Sequence, residues 1–324
     1  MLPKIAVLDL GSNSFHLAVA ECLSNRRFVL AAHAKEKVQL GQSVFENGVV
    51  DEAGAERARG ALRRLRALCD RERPTHAIGV ATSALREAQN GAAFVREAAV
   101  LTGIPIRVIS GEEEARLVCL GTLRELPGTR DPRSRVAIFD LGGGSTEVIV
   151  ADARSRALTR SLKLGTLRMR AAIEGDGKPR ASALAQLELA ALSVLAPSLA
   201  RVSRLGVEEA VLSCGSARKL VRLARRLGID DCGTVDAPVL AHDTLCELQA
   251  RLAGLAPAAR AALVGSDPRR ADTLLVAATI FKPLFARLDL AEARVSLTGL
   301  REGVIADKLA SLESAAQSSY AVAL

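Results

Sequence analysis

The chain has no tryptophan, one tyrosine and only 2% aromatic residues in a length of 324. Proteins that hold single-stranded nucleic acid stack bases on aromatic rings, so no nucleic-acid partner is expected despite a formal charge of +8. Glycine-lysine-serine or -threonine occurs nowhere, which excludes a Walker phosphate loop. The six cysteines (Cys22, Cys69, Cys119, Cys214, Cys232, Cys246) include no C-x-x-C pair, and the four histidines show no H-E-x-x-H spacing. Neither a zinc site nor a disulfide framework is therefore read from them. Scattered cysteines in apolar segments suit buried, reduced thiols and a cytoplasmic protein. The N-terminus runs into the strand pattern KIAVLDLGSN rather than a leader peptide. The longest apolar stretch, 181–200, is interrupted by Gln186, Glu188 and Pro197, and no membrane partner is expected.

What is present is ordinary for a folded chain: 49% hydrophobic and 25% charged residues. The length is about right for two domains. The basic excess favours acidic partners such as phosphate polymers. It is equally accounted for by a composition rich in arginine, and both readings stand.

One segment occurs twice. Laid without a gap, VLDLGSNSFHLAV (7–19) places Asp9-Leu10-Gly11 on Asp140-Leu141-Gly142 of FDLGGGSTEVIV (139–150). Ser14 falls on Ser145, His16 on Glu147 and Val19 on Val150. Around the first copy the pattern predicts strands at 5–8, 15–20 and 27–38, then a helix N-capped by Asp51. That helix turns Leu62, Leu65 and Cys69 to one face and Arg57, Arg64 and Arg71 to another; the arginine row reads as a solvated surface or a polyanion track. A strand at 76–80, a helix from Ser83, a strand at 106–109 and a helix from Gly111 follow. Around the second copy strands fall at 136–139 and 146–151, with a third ending near Leu164. Helices at 166–173 and 182–202, a strand at 210–212, a helix at 216–227, further helices, a strand at 294–297 and a closing helix complete it. Two β-β-β-α-β-α-β-α halves predict an α/β chain of two mixed-sheet domains with flanking helices, facing each other across a cleft. The expected boundaries are 1–124 with a C-terminal helix at about 303–324, and 125–302.

No helix follows Gly142-Gly143-Gly144; the β-branched run Thr146-Glu147-Val148-Ile149-Val150 follows instead. A Rossmann turn is thereby excluded. What remains is a hairpin whose glycines allow positive φ and close backbone approach, and whose N–H groups would form an anion-binding nest, or else a plain glycine-rich hairpin. Asp140 at the strand end needs either hydrogen-bond donors or a divalent cation. A hairpin would bring Asp140 and Glu147 into register for one ion, since Mg²⁺ binds through one or two carboxylates with water and substrate phosphate.

Three glutamates open the helix at 111. Ser110 and Glu113 form an S-x-x-E capping box, and Glu112 stands four residues before Arg116, a surface pair. Glu114 shares its face with Leu117, Val118 and Gly121, and partial desolvation there would raise its pKa toward one suited to accepting a proton from water. Acidic residues also simply favour a helix N-terminus.

Six ordered motifs, DLGSNSFHL (9–17), ATSALREA (81–88), ISGEEEARL (109–117), DLGGGSTEV (140–148), LSCGSARKL (212–220) and SLTGLREGV (296–304), closely resemble those of the exopolyphosphatase / guanosine pentaphosphate phosphohydrolase family. That family lies in the actin–sugar kinase–Hsp70 superfamily, so the resemblance implies two actin-like (ribonuclease H-like) domains. It implies hydrolysis of phosphoric anhydrides, releasing terminal phosphate from inorganic polyphosphate or the 5′ γ-phosphate from guanosine pentaphosphate, with Mg²⁺ (or another divalent cation such as Mn²⁺). Glu114 would be the general base and Arg86 a contact to substrate phosphate. Asp140 and Glu147, with Asp9 at the other turn, would hold the cation. Gly11, Ser12, Asn13, Gly143, Gly144 and Ser145 would bind phosphate oxygens, and Arg218 or Lys219 either contacts phosphate or belongs to the scaffold. A homodimer is implied, and the C-terminal helical domains of longer members are not expected. A superfamily ATPase or kinase, or a non-catalytic sensor of an alarmone or polyphosphate, are the alternatives.

Overall fold

The computed structural model describes residues 3–23, 27–125, 131, 133–152, 154–175, 177–229 and 232–322. The chain divides into two compact units, Met1–Arg124 with Thr298–Leu324, and Glu125–Leu297. In chain order the first carries β1 (Lys4–Leu10), β2 (Ser14–Cys22), β3 (Phe28–Lys37), α1 (Leu40–Asn47), α2 (Glu52–Glu72), β4 (His76–Ala81), α3 (Ser83–Glu87), α4 (Gly91–Thr102), β5 (Ile106–Val108) and α5 (Gly111–Leu123). The second carries β6 (Val136–Leu141), β7 (Thr146–Ala151), β8 (Arg156–Leu162), α6 (Ala181–Leu205), β9 (Glu209–Leu212), α7 (Gly215–Leu227), β10 (Val239–Ala241), α8 (His242–Ala253), α9 (Pro257–Val264), α10 (Pro268–Leu288) and β11 (Glu292–Val295). The last helix, α11 (Leu300–Val322), returns to the first unit.

Each unit is built on a mixed sheet with the same order for five strands, and the second adds β10 at one edge. The first is ordered β3-β2-β1-β4-β5 and the second β10-β11-β9-β6-β7-β8. In both, the first strand pairs antiparallel with the second and parallel with the strand that follows the first crossover. The sequence expectation of an α/β chain with two mixed sheets and flanking helices is the fold observed.

Strand alternation sends Ala6, Leu8 and Leu10 to one face of the first sheet, against Ala58, Leu62 and Leu65 of α2. Asp51 caps that helix by accepting from the Gly54 N–H at 2.8 Å. Ile5 and Val7 take the other face, against Leu117 of α5 and Val304, Ile305 and Leu309 of α11. Gly121 and Gly303 set how closely these two helices approach. A Cβ on Gly121 would lie 2.0 Å from the Gly299 carbonyl oxygen, and one on Gly303 1.8 Å from that of Leu117. In the second unit the apolar side of α6, with Leu187, Ala191, Leu195, Leu199 and Val202, belongs to the core. By length and composition that helix is apolar enough to cross a membrane, with a mean hydropathy of 1.5. All six cysteines are free thiols, five of them buried.

Several local expectations need correction. Helix α1 carries no N-cap side chain: Gln39 takes a left-handed conformation, φ 54°, in its place, so nothing in the local pattern announced it. The helix expected at 166–173 is only a 3₁₀ turn, Arg170–Ile173, because the N–H groups of residues 166–168 bond to the glycine turn instead. The short strand β10 was not foreseen, and the strand expected at 294–297 is Glu292–Val295. In the arginine row of α2, Arg64 pairs with Glu36 and Arg57 donates to the Val38 carbonyl. These contacts favour the solvated-surface reading.

Candidate active site

The first repeat ends β1 at Asp9, in register with His16 on β2. Two residues along from Val7, Asp9 points to the face covered by α5 and α11. Burial pushes its carboxyl up to about 6; the Arg301 and Lys35 charges pull it down and Glu302 adds to the rise. Helix α5 brings Glu114 to the same face. Ser110 caps α5, accepting from the Glu113 N–H at 3.1 Å. The capping box is only half formed, since Glu113 turns to Arg107 and Arg116 and its pKa falls to about 2. Arg116 pairs with Glu113 and Asp307, not with Glu112 as the spacing implied.

Glu114 is buried, 8% exposed. Its carboxylate accepts from Arg86 Nη1 at 3.0 Å, and the same nitrogen donates to the Ile109 carbonyl at 2.8 Å. Desolvation pushes the Glu114 carboxyl up to about 7; the Arg86 charge and hydrogen bond oppose the rise and the Asp9 charge reinforces it. The turn between β1 and β2 closes the group. Ser12 is buried, and its Oγ accepts from the Ala84 N–H at the start of α3. The N–H groups of Ser12 and Asn13 find no acceptor among the described residues.

One cluster here was not anticipated. Arg301, on α11, donates to His16 Nδ1 at 2.8 Å and to His33 Nε2 at 2.6 Å, and the two imidazoles stack with centroids 5.6 Å apart. The motif TGLREGV was visible in the sequence, but nothing local linked its arginine to two histidines more than 260 positions earlier.

In the second unit Asp140 and Glu147 face each other across the β6–β7 ladder, which is the register expected of a cation pair. They lie on the face of Ile138 and Ile149, opposite Phe139 and Val148 of the core. Glu147 is 1% exposed and accepts from Ser161 Oγ at 2.7 Å. The turn is pinned by the Gly142 N–H donating to the Ser145 carbonyl at 2.9 Å. The N–H groups of Gly143 and Gly144 find no acceptor among the described residues. Positive φ is not what the glycines supply, since none of residues 142–144 has it; at Gly142 a Cβ would stand 3.2 Å from the Ser145 carbonyl oxygen.

Among the described residues no three His, Cys, Asp or Glu side chains gather as a metal site. The Asp140–Glu147 pair suits a hard cation that keeps water and phosphate for its other positions. In the LSCGSARKL segment, Cys214 Sγ caps α7 by accepting from the Ala217 N–H, and Arg218 donates to the Ser296 carbonyl at 2.8 Å. Arg218 is thus tied to the scaffold. The sequence also missed Ser161, Gly165 and Arg168, which touch the Glu147 side chain or the glycine turn.

The first unit therefore gathers Asp9, Arg86 and Glu114 with the turn 11–13, and the second gathers Asp140 and Glu147 with the turn 143–145. The fold is that of a Cytophaga hutchinsonii exopolyphosphatase, with a TM-score of 0.86 at 23% identity over 95% of this chain and 98% of that one. An Aquifex aeolicus PPX-GPPA enzyme matches with a TM-score of 0.76 at 24% identity, covering 95% of this chain and all of the other. A Haemophilus influenzae protein, named provisionally as an exopolyphosphatase, is 27% identical over 302 residues, 93% of this chain and 90% of its own. The model of the Ppx/GppA phosphatase family matches residues 19–312, and the chain belongs to that family.

Proposed function

We propose that the chain hydrolyses phosphoric anhydrides, releasing terminal phosphate from inorganic polyphosphate with Glu114 as general base. The observation that carries this reading is a buried carboxylate whose pKa is lifted to about 7 beside a turn with open N–H groups. At neutral pH such a group is divided between its two forms. It is basic enough to take a proton from water and acidic enough to pass it on.

Phosphoryl transfer asks little covalent chemistry of a protein; positioning and charge stabilisation do most of the work. Each unit offers its own donors to phosphoryl oxygens, the Ser12 and Asn13 N–H groups in the first and the Gly143 and Gly144 N–H groups with the Ser145 hydroxyl in the second. Arg86 holds the Glu114 carboxylate in place and offers its remaining guanidinium donors to the substrate phosphate. Asp140 and Glu147 would hold Mg²⁺ or Mn²⁺, which would neutralise phosphate charge, and Asp9 of the first unit is a further carboxylate for a cation. Glu114 orients water and accepts its proton as the water oxygen attacks the terminal phosphorus. The bond from that phosphorus to the bridging oxygen breaks, the shortened chain departs with that oxygen, and the attacked group is released as inorganic phosphate. The 5′ γ-phosphate of guanosine pentaphosphate presents the same anhydride, and a substrate panel separates the two.

The test is Glu114→Gln, which keeps shape and polarity and removes the base. Phosphate release from tripolyphosphate, long polyphosphate, guanosine pentaphosphate and ATP is followed in parallel. The variant is expected to lose turnover by ~10²–10⁴-fold and to bind substrate as the wild type does. Wild-type turnover in the variant removes Glu114 as base, and turnover of ATP alone replaces the proposal with a superfamily ATPase.

A further inference from the structure

The glycine turn of the second unit is held by more than its own Gly142–Ser145 hydrogen bond. Its carbonyls are gripped from behind by residues 164–168, the segment that leaves β8. The Thr166 N–H donates to the Gly142 carbonyl at 3.0 Å, and the Leu167 and Arg168 N–H groups donate to that of Gly143 at 2.8 and 3.2 Å. The Arg168 side chain donates from Nε to the Gly144 carbonyl at 2.9 Å. In return, Thr146 Oγ1 donates to the Leu164 carbonyl at 2.6 Å. Three successive peptide units are thus fixed by their oxygens. A peptide N–H points opposite to its C=O, so each fixed carbonyl also fixes the direction of the following N–H. The donors oriented in this way are those of Gly143, Gly144 and Ser145.

Gly165 makes the grip possible. A Cβ there would stand 2.4 Å from the Gly143 oxygen and 2.5 Å from both the Gly143 carbonyl carbon and the Gly144 Cα. All three are backbone atoms of the turn and cannot swing aside as a flexible side chain would. The φ of Gly165 is not positive, so the requirement is one of space alone.

The first repeat uses the same device with different parts. There the segment leaving β3 donates from the Val38 and Gln39 N–H groups to the Asn13 carbonyl, and from that of Gly41 to the Ser12 carbonyl. In the alignment of the two repeats Asn13 falls on Gly144. Backbone N–H groups hold the first of these carbonyls and the guanidinium of Arg168 holds the second. Arg168 therefore performs in one repeat what the main chain performs in the other.

We propose that residues 164–168 are a floor that preorganises the phosphate-binding turn, with Gly165 and Arg168 as positioning residues for the anhydride. Neither needs to touch the substrate. Both act by keeping the turn donors aimed before the anion arrives, which is how fixed dipoles lower a barrier without reorganising. The inference deepens the reading of the turn as a phosphate site and rests on it.

The experiment compares Gly165→Ala, Arg168→Met and Arg168→Lys with the full-length wild type. Hydrogen exchange of peptides spanning 140–147 is measured without ligand, and tripolyphosphate affinity and the split between KM and kcat are measured with Mg²⁺. Gly165→Ala and Arg168→Met are expected to exchange faster in the turn and to raise KM by ~10-fold or more, the order of one lost charge-assisted hydrogen bond. Arg168→Lys, which keeps a cationic donor, recovers part of the loss. Should Gly165→Ala fail to fold, Arg168→Met carries the comparison alone. Unchanged exchange in the turn, or unchanged affinity in a wild type that binds, overturns the floor. A wild type that binds no tripolyphosphate, although the variants loosen the turn, instead defeats the phosphate reading on which the floor's purpose depends.

Discussion

Removing Arg86 should move the acid limb of the pH–rate profile, and the structure fixes both direction and size. Arg86 Nη1 lies 3.0 Å from Glu114 Oε2, with side-chain exposures of 23% and 10%. For charge centres ~4 Å apart, an effective dielectric constant of ~20 gives about 4 kcal/mol of attraction between the ionised forms. At about 1.4 kcal/mol per pKa unit, complete loss would raise the Glu114 pKa by ~3. Water reaches part of the guanidinium and will enter the gap that a methionine leaves, so roughly half of that, ~1–2 units, is the expected shift. The wild-type carboxyl sits at about 7, and the base must be ionised to act. Wild-type kcat/KM should therefore climb through pH 7 to a plateau, and the Arg86→Met limb should lie at ~8–9 on the same reasoning. kcat/KM is the quantity to plot, since its limbs report groups of the free enzyme. The plateau will also fall if Arg86 touches phosphate, but limb position and plateau height are read separately. A limb that stays in place, or that persists in Glu114→Gln, refutes Glu114 as the titrating base.

Two other expectations follow from the same geometry. Ser161→Ala deletes the hydroxyl that donates to Glu147 Oε1 at 2.7 Å; outer-shell losses of this kind weaken metal affinity by ~10–100-fold, so the Mg²⁺ concentration for half-maximal activity should rise by that order. An unchanged Mg²⁺ titration would mean that Glu147 does not hold the cation. Gly303→Ala forces a Cβ to 1.8 Å from the Leu117 carbonyl oxygen; overpacking costs ~1–3 kcal/mol, a fall in Tm of several degrees for a chain of this size. A Tm equal to the wild type would show that α5 and α11 part without cost.

The order of elements was legible because hydrophobic period and punctuation agreed: Asp51 and Ser110 cap the helices they appeared to cap, and the duplicated DLG segment folds as the same hairpin twice. The pairing of Asp140 with Glu147 followed from counting residues around the turn. What could not be read was whatever depends on distant partners. LKLGTLR resembles a helix start, yet its N–H groups bond to Gly142 and Gly143, a contact no local rule contains. The partners of Glu113, and the meeting of Arg301 with His16 and His33, are set by how helices and strands lie against one another in the first unit. Glu114 was pointed to by the family resemblance, and the apolar helical face it shares agreed with that choice. The structure adds its surroundings, an Arg86 donor in a desolvated place.

The two hairpins show how one backbone can be given two chemistries. In each, the turn-facing pair lies in register across two strands and the loop carbonyls are held from behind, so the inherited part is the geometry of the donors. The second residue of the pair differs. Where Glu147 faces Asp140, two carboxylates share one face with a hydroxyl donor, an arrangement that favours a cation. Where His16 faces Asp9, the imidazole is bound by Arg301 and stacked on His33, so positive charge is supplied by the chain itself. A carboxylate at position 16 would compete for Arg301, weakening its hold on His33 and adding negative charge in register with Asp9, whose own charge already raises the Glu114 pKa. Divergence at this one position leaves the first unit with one carboxyl group beside an imidazole and the second with two carboxyl groups in register. A hydrolase working as proposed, with a cation on one pair and a carboxylate base near the other, would have use for each.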